Sequence, residues 1–359
     1  MKRTLALVIG FALLAACSND LDREPLVGTP RIIAIVADPP EAAPGEDVSI
    51  RVLAFDPSRR TLHYTFRLCV DPASFFGGFT PDGSNGVSPP DVVCLPLHGS
   101  GNSVTIPGAI TQTIATELPM YASMGGLNSD AVEQVLATAG IPLQIRVAVS
   151  TTDMASTMET TLVSGMKLVG LTTREQRTTN PPYAYFSVGD SIFLGGFGDS
   201  FECTLWFSEP PRFKASVANP DTSLDSNGDL RPDKITTEVA LEPLDDPFTW
   251  METYPYFDYA SQLHTGREGA YYSWFTTSDV DLTTAHCQHE RCHTITDGGD
   301  TTQVSATTQP TDPTALTQRG TTWDLPSRPG TYDVWLVVRD GHLGESACHA
   351  TIEVYAPTP

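Results

Sequence analysis

Val48-Ser49-Ile50-Arg51-Val52-Leu53-Ala54-Phe55, stopped by Asp56-Pro57, decides the fold class. Its β-branched, part-alternating pattern over eight residues suits a half-buried strand, and a proline that cannot donate to a ladder ends it. The pattern repeats on both sides. Leu62–Val70 alternates through Leu62, Tyr64, Phe66 and Leu68, and Arg31–Ala37 is an apolar, β-branched run ended by Asp38-Pro39-Pro40. Short strands punctuated by Pro, Gly and Asp predict an antiparallel β-sandwich.

The same signal returns further along, at Leu143–Ser150 and Thr160–Leu171, then at Tyr183–Val188, Ile235–Leu241 and Tyr271–Thr277, and last at Thr331–Arg339 and Ser346–Tyr355. In Thr331–Arg339 the pattern leaves two choices open: Val334, Leu336 and Val338 face inward, or their alternates do. One helix is predicted before Gly140, capped by Asn128 or Ser129, with Val132, Val135, Leu136 and Ala139 on one face. Thr172–Pro182 is polar, Thr-rich and ends in Pro181-Pro182, as a linker does.

Ala37-Asp38-Pro39-Pro40, Ala43-Pro44-Gly45-Glu46-Asp47-Val48 and Phe55-Asp56-Pro57 resemble the opening strands of bacterial immunoglobulin-like or PKD-like domains. Tyr332-Asp333-Val334-Trp335-Leu336-Val337-Val338-Arg339-Asp340 resembles the final hairpin of PKD-like domains. The resemblance implies a mostly β chain with two Ig-like/PKD-like antiparallel β-sandwich domains, long loop insertions and one short helix. The first domain is expected at 31–171 with an insertion at 71–140. A linker at 172–182 leads to a second at 183–357, with insertions at 190–234 and 283–322.

The N-terminus carries an address. Lys2 and Arg3 precede an apolar run from Leu5 to Ala16, too short to span a membrane, as in a secretory signal. Leu14-Ala15-Ala16-Cys17 closely resembles the lipobox of bacterial lipoproteins. It implies removal of residues 1–16, a diacylglycerol on the Cys17 sulfur, and residues 17–30 as lipidated Cys and tether. Ser18 in place of Asp implies the outer membrane, with the face left open. The whole resembles uncharacterised Ig-like lipoproteins of Gram-negative bacteria.

Composition fits an exported protein. The formal charge is −22, and the only lysines after the signal are Lys167, Lys214 and Lys234. Such a surface repels phosphate backbones, so nucleic acid is not an expected partner. Seven cysteines become six once Cys17 carries lipid. In an oxidising compartment an even count points to disulfides. Spacing suggests Cys69 with Cys94 and Cys287 with Cys292, leaving Cys203 for Cys348.

Four stretches carry candidate chemistry. In Asp225-Ser226-Asn227-Gly228-Asp229-Leu230-Arg231-Pro232-Asp233, oxygen ligands at positions 1, 3, 5 and 9 can wrap a hard cation. The ligands would be Asp225, Asn227, Asp229, Asp233 and the Arg231 carbonyl. The loop resembles the short calcium loops of thrombospondin type 3 and FG-GAP repeats, which makes calcium the expected ion. Leu230 stands where those loops carry Gly, and Thr236 stands where an EF-hand carries Glu.

His286-Cys287-Gln288-His289-Glu290-Arg291-Cys292-His293 supports four incompatible readings: a disulfide loop, a structural Cys/His metal site, a zinc peptidase and a covalent haem site. The peptidase reading places His289 and His293 on one helix face as zinc ligands, with Glu290 as general base. The extended form of that signature fails at Thr296 and Gly299, and a third ligand would have to come from a distant acid such as Glu345. Residues five apart lie about 140° around a helix, so a Cys287–Cys292 disulfide and the peptidase exclude each other.

Gly189-Asp190-Ser191-Ile192 and Gly198-Asp199-Ser200-Phe201 resemble the nucleophile block of Gly-Asp-Ser-Leu hydrolases. No Asp stands three residues before any of the eight histidines, so turns are the better account.

The function expected from these features is a non-enzymatic, lipid-anchored envelope protein that binds or scaffolds. Its partners would be the membrane, through the lipid, and an envelope protein or glycan. Phe75, Phe76, Trp250, Tyr254, Tyr256 and Phe257 are candidate contacts. The alternative is the zinc peptidase.

Overall fold

The computed structural model describes residues 27–70, 93–124, 129–152, 159–182, 184–194, 201–205, 212–215, 217–218, 234–235, 238–257, 262–277, 286–288, 291–292 and 320–356. The chain is mostly β, built from two sandwiches. In the first, β1 (Arg31–Asp38), β3 (Val48–Phe55) and β6 (Ser103–Ile106) form one sheet in the order β1-β3-β6. The second sheet runs β2-β8-β7-β4-β5, from β2 (Glu41–Ala42), β4 (Leu62–Val70), β5 (Val93–Leu97), β7 (Ile141–Thr152) and β8 (Glu159–Leu171). The chain leaves β1 at Pro39-Pro40 and crosses sheets to β2, which pairs parallel with the end of β8.

The alternation in β3 does what it predicts. Val48, Ile50 and Val52 are fully buried, facing Phe66 and Leu68 of β4 and Leu143, Ile145 and Val147 of β7. Of the stretch 71–140 expected as an insertion, β5 and β6 instead belong to the sandwich, one on each sheet. Two helices follow, not one: α1 (Gly108–Met124) and α2 (Ser129–Ala137). The second is the predicted helix, with Val132 and Leu136 buried and Gly140 at φ 78° donating to the Val135 carbonyl. The start of α1 is capped from far away: Asp47 Oδ1 accepts the Gly108 N–H at 2.6 Å, and Thr111 Oγ1 accepts the Gly45 N–H.

In the second sandwich the sheet orders are β11-β10-β9-β15-β21 and β12-β23-β22-β18-β19-β20. Its strands are β9 (Phe186–Val188), β10 (Ser191–Leu194), β11 (Thr204–Leu205), β12 (Arg212–Lys214), β15 (Glu238–Pro243), β18 (Tyr271–Thr276), β19 (His286–Gln288), β20 (Arg291–Cys292), β21 (Thr321–Asp324), β22 (Gly330–Arg339) and β23 (Glu345–Tyr355). Two ribbons stand outside these sheets: β13 (Val217–Ala218) with β14 (Lys234–Ile235), and β16 (Thr253–Phe257) with β17 (Leu263–Arg267). The stretches 190–234 and 283–322, expected as insertions, thus also supply strands to the sheets. Phe186 sits at the centre of the core, 5.3 Å from both the Phe193 and Trp274 rings. Gly189-Asp190 is the tight turn between β9 and β10, with Gly189 at φ 54°.

Candidate functional site

The sequence-predicted sites divide into those the structure places and those outside the described residues. Cys69 is disulfide-bonded to Cys94, directly across β4–β5, and Cys203 to Cys348. The second pair ties the segment before β11 to β23. Cys287 and Cys292 lie opposite each other in the register of β19 and β20. His286–Gln288 and Arg291–Cys292 are therefore strands of a hairpin, not turns of one helix. That differs from the helical frame the peptidase reading needs. His289, Glu290 and His293 themselves lie outside the described residues, as do Cys17, Phe75, Phe76 and the whole loop from Asp225 through Asn227, Asp229 and Arg231 to Asp233. Among the described residues no group of three His, Cys, Asp or Glu is arranged to hold a metal.

What the structure adds is a seam. β1 and β22 are each buried on both faces. Ile35 and Ala37 of β1 point into the first core, while Ile33, Ala34 and Val36 face the second sandwich. In β22, Val334, Leu336 and Val338 point into the second core, and Trp335 and Val337 meet β1. The choice that the sequence left open is resolved both ways at once. Phe55 packs edge-on to Trp335 at 5.0 Å, and the guanidinium groups of Arg31 and Arg51 lie over the rings of Phe275 and Phe201. Val27, expected in a free tether, is buried here and donates its N–H to the Thr276 carbonyl at 2.9 Å.

One flank of this apolar patch carries a charged clamp. His349 stacks on Trp335 with Nδ1 2.8 Å from Glu202 and Nε2 3.0 Å from Asp333. Two carboxylates facing both ring nitrogens favour the form with two N–H donors, the imidazolium. Burial pushes its pKa down, but the bonds to Asp333 and Glu202 outweigh that and raise it. Asp333 is held below the usual carboxylate range by His349 against its own burial. Arg59 of the first sandwich reaches the same carboxylate at 3.4 Å.

On the other flank, residues 172–182 form a strap pinned to both bodies rather than a loose linker. Arg174 pairs with Glu41 of β2, the Thr178 N–H donates to the same Glu41 oxygen, and Arg177 pairs with Glu46. Next, Thr179 donates its N–H and Oγ1 to Glu252 of the second sandwich at 3.0 and 3.2 Å. Asn180 bridges the two bodies, donating to the Ala37 carbonyl and accepting the Glu345 N–H. Glu345 is held in turn by Lys167 at 3.1 Å and Arg339 at 3.2 Å.

The ribbon β16–β17 projects beside this strap with a row of rings. Tyr254 stacks on His342 at 3.8 Å, then Tyr256 and His264 continue the row at 6.1 and 5.6 Å. Tyr256 is 42% exposed and Leu263 49%. Trp250 is partly buried against the second core, and its Nε1 donates to Asp245, which also accepts from Tyr272. The Phe257 side chain lies outside the described residues.

No protein-family model and no curated protein matches the sequence. Among solved structures, the chain is similar to the native conformation of E. coli alpha-2-macroglobulin, at 10% identity and a TM-score of 0.20. That match covers 94% of this chain, which spans 17% of the macroglobulin's length. It is also similar to extracellular domains 3–5 of Drosophila OTK, at 9% identity and a TM-score of 0.18, covering 92% of this chain and 98% of that one.

Proposed function

We propose that this chain is a non-enzymatic, lipid-anchored protein of the bacterial outer membrane. In that role it is a stiff arm holding a binding surface at a fixed place. The observation that carries this reading is the seam: an apolar core shared by two sandwiches, flanked by a clamp and a pinned strap, joins them into one body. A rigid body fixes where its loops and ribbons sit, which is what recognition by loops requires. Anchorage rests on Leu14-Ala15-Ala16-Cys17, and the partner is an envelope protein or glycan met by the ring-bearing face of β16–β17. Calcium at Asp225–Asp233 belongs to the same reading, as an ion that stiffens a loop.

A photo-crosslinking amino acid placed at Tyr256 or Leu263 of the full-length protein in intact cells tests this. A discrete adduct of one size is expected from these positions and none from exposed Arg146 of the first sandwich. Equal adducts, or none, from both faces would overturn the binding surface. Changing Cys17→Ser is expected to move the protein out of the membrane fraction and to abolish palmitate labelling. Retention with label would overturn the anchor.

A further inference from the structure

The strap crosses a pocket of buried acids that charge alone should push apart. Glu41 comes from the first sandwich; Glu252, Glu268 and Asp340 come from the second. Glu41, Glu268 and Asp340 are almost wholly buried. Each of the other three has at least two donors. Glu41 takes Arg174 and the Thr178 N–H, Glu252 takes Thr179 twice, and Asp340 takes the N–H groups of His342 and Gly344, each at 2.7 Å. Glu268 differs. Its Oε2 accepts one bond, from the Glu252 N–H at 2.9 Å, and its Oε1 is buried with no partner. Glu41 Oε1, Thr178 Oγ1 and His342 Nδ1 are bare in the same region.

The cations nearby are committed elsewhere: Arg174 to Glu41 and Lys167 to Glu345. Glu345, paired with Lys167 and Arg339, adds its negative charge toward Asp340. Tyr254 stacks on His342, and Tyr271 packs against Gly269 and Gly341.

We propose that Glu268 is a proton latch: neutral, it lets the strap and Glu41 dock on the second sandwich, and ionised, it drives the polar half of the seam apart while the apolar half holds. Burial, and then the charge of Asp340, pushes Glu268 up to about 8. The sign follows. A carboxyl raised above its unfolded value of 4.5 holds a proton that the released state gives up. Its contribution to docking is full below 4.5 and is lost as pH rises through 8. Asp340, raised to about 6 mainly by burial, acts in the same direction but is spent below pH 7. His342, lowered to about 4 by burial and Arg174, acts oppositely, and only below its ordinary 6.5. His349 of the clamp, its pKa raised by the bonds to Asp333 and Glu202 against its burial, also weakens the seam when it loses its proton, but on the far flank.

Trypsin reads the strap directly, because its targets Arg174 and Arg177 are the residues pinned there. The full-length protein in detergent is digested between pH 7 and 9, and cleavage is normalised to an unstructured peptide with the same sites. At one pH unit above its midpoint Glu268 keeps its proton about a tenth of the time. Normalised cleavage at pH 9 should therefore rise about 10-fold over pH 7 in the wild type and stay flat in Glu268→Gln. An equal rise in both, or no rise in the wild type, overturns the latch. Infrared spectroscopy of the unaltered protein gives a second reading: a buried carboxylic-acid band should be present at pH 7 and vanish with a midpoint near 8. Its absence at pH 7 would overturn the latch whatever the variant does.

Discussion

The two halves of the seam hold by different physics. The apolar half, with Ile33, Val36, Phe275, Trp335 and Val337, is joined by packing that no change of pH touches. In the polar half, Glu41, Glu252, Glu268 and Asp340 are held only as long as donors and protons balance their charge. One half makes the two sandwiches a single body, and the other sets how tightly the strap lies on it.

The largest effect should come from breaking the apolar half. Trp335→Ala removes the ring that Phe55 and His349 pack against, leaving a cavity at fully buried positions. A loss of about 3–5 kcal/mol in urea unfolding is expected, with one transition becoming two. Retention of a single transition would mean that the polar half suffices. Next is Arg174→Ala, which leaves the buried Glu41 carboxylate facing only the Thr178 N–H. Removing one partner of a buried pair should destabilise by about 3 kcal/mol at pH 7. A change of a few tenths would show that the strap does not bear on stability.

Glu268→Gln should do the reverse. Between pH 7 and pH 9 the variant should gain about 1.4 kcal/mol of stability relative to wild type, the equivalent of one pH unit, with most of the gain complete once pH has passed 8. No gain between the two values would make Glu268 an ordinary hydrogen-bonding residue. The smallest effect belongs to Arg59→Ala. Its side chain is 73% exposed although it touches Asp333. A change within about 0.5 kcal/mol is expected, and a larger one would move the charged clamp into the group of features that hold the seam.

What the sequence disclosed follows the range over which each signal acts. Strands such as β3 and β4 were legible because alternation is local, and α2 because Val132, Leu136 and Gly140 are local too. Helix α1 was missed. Its cap, Asp47, lies 61 residues upstream of Gly108, its body carries Thr111, Thr113 and Thr116, and Pro119 lies inside it. The seam leaves a local trace: Ile32–Ala37 and Val334–Val338 are continuous apolar runs, and a strand apolar on both faces is covered on both faces. The disulfides Cys69–Cys94 and Cys203–Cys348 were found by spacing and elimination. Nothing local marks Glu41, Glu252, Glu268 and Asp340 as neighbours, since only tertiary folding assembles them.

Differential scanning calorimetry of the full-length protein at pH 7 tests the shared seam most directly. One transition whose calorimetric and van't Hoff enthalpies agree is the expected result, because two bodies joined by a common core unfold together. Two resolved transitions in the unaltered protein, one for each sandwich, would contradict it.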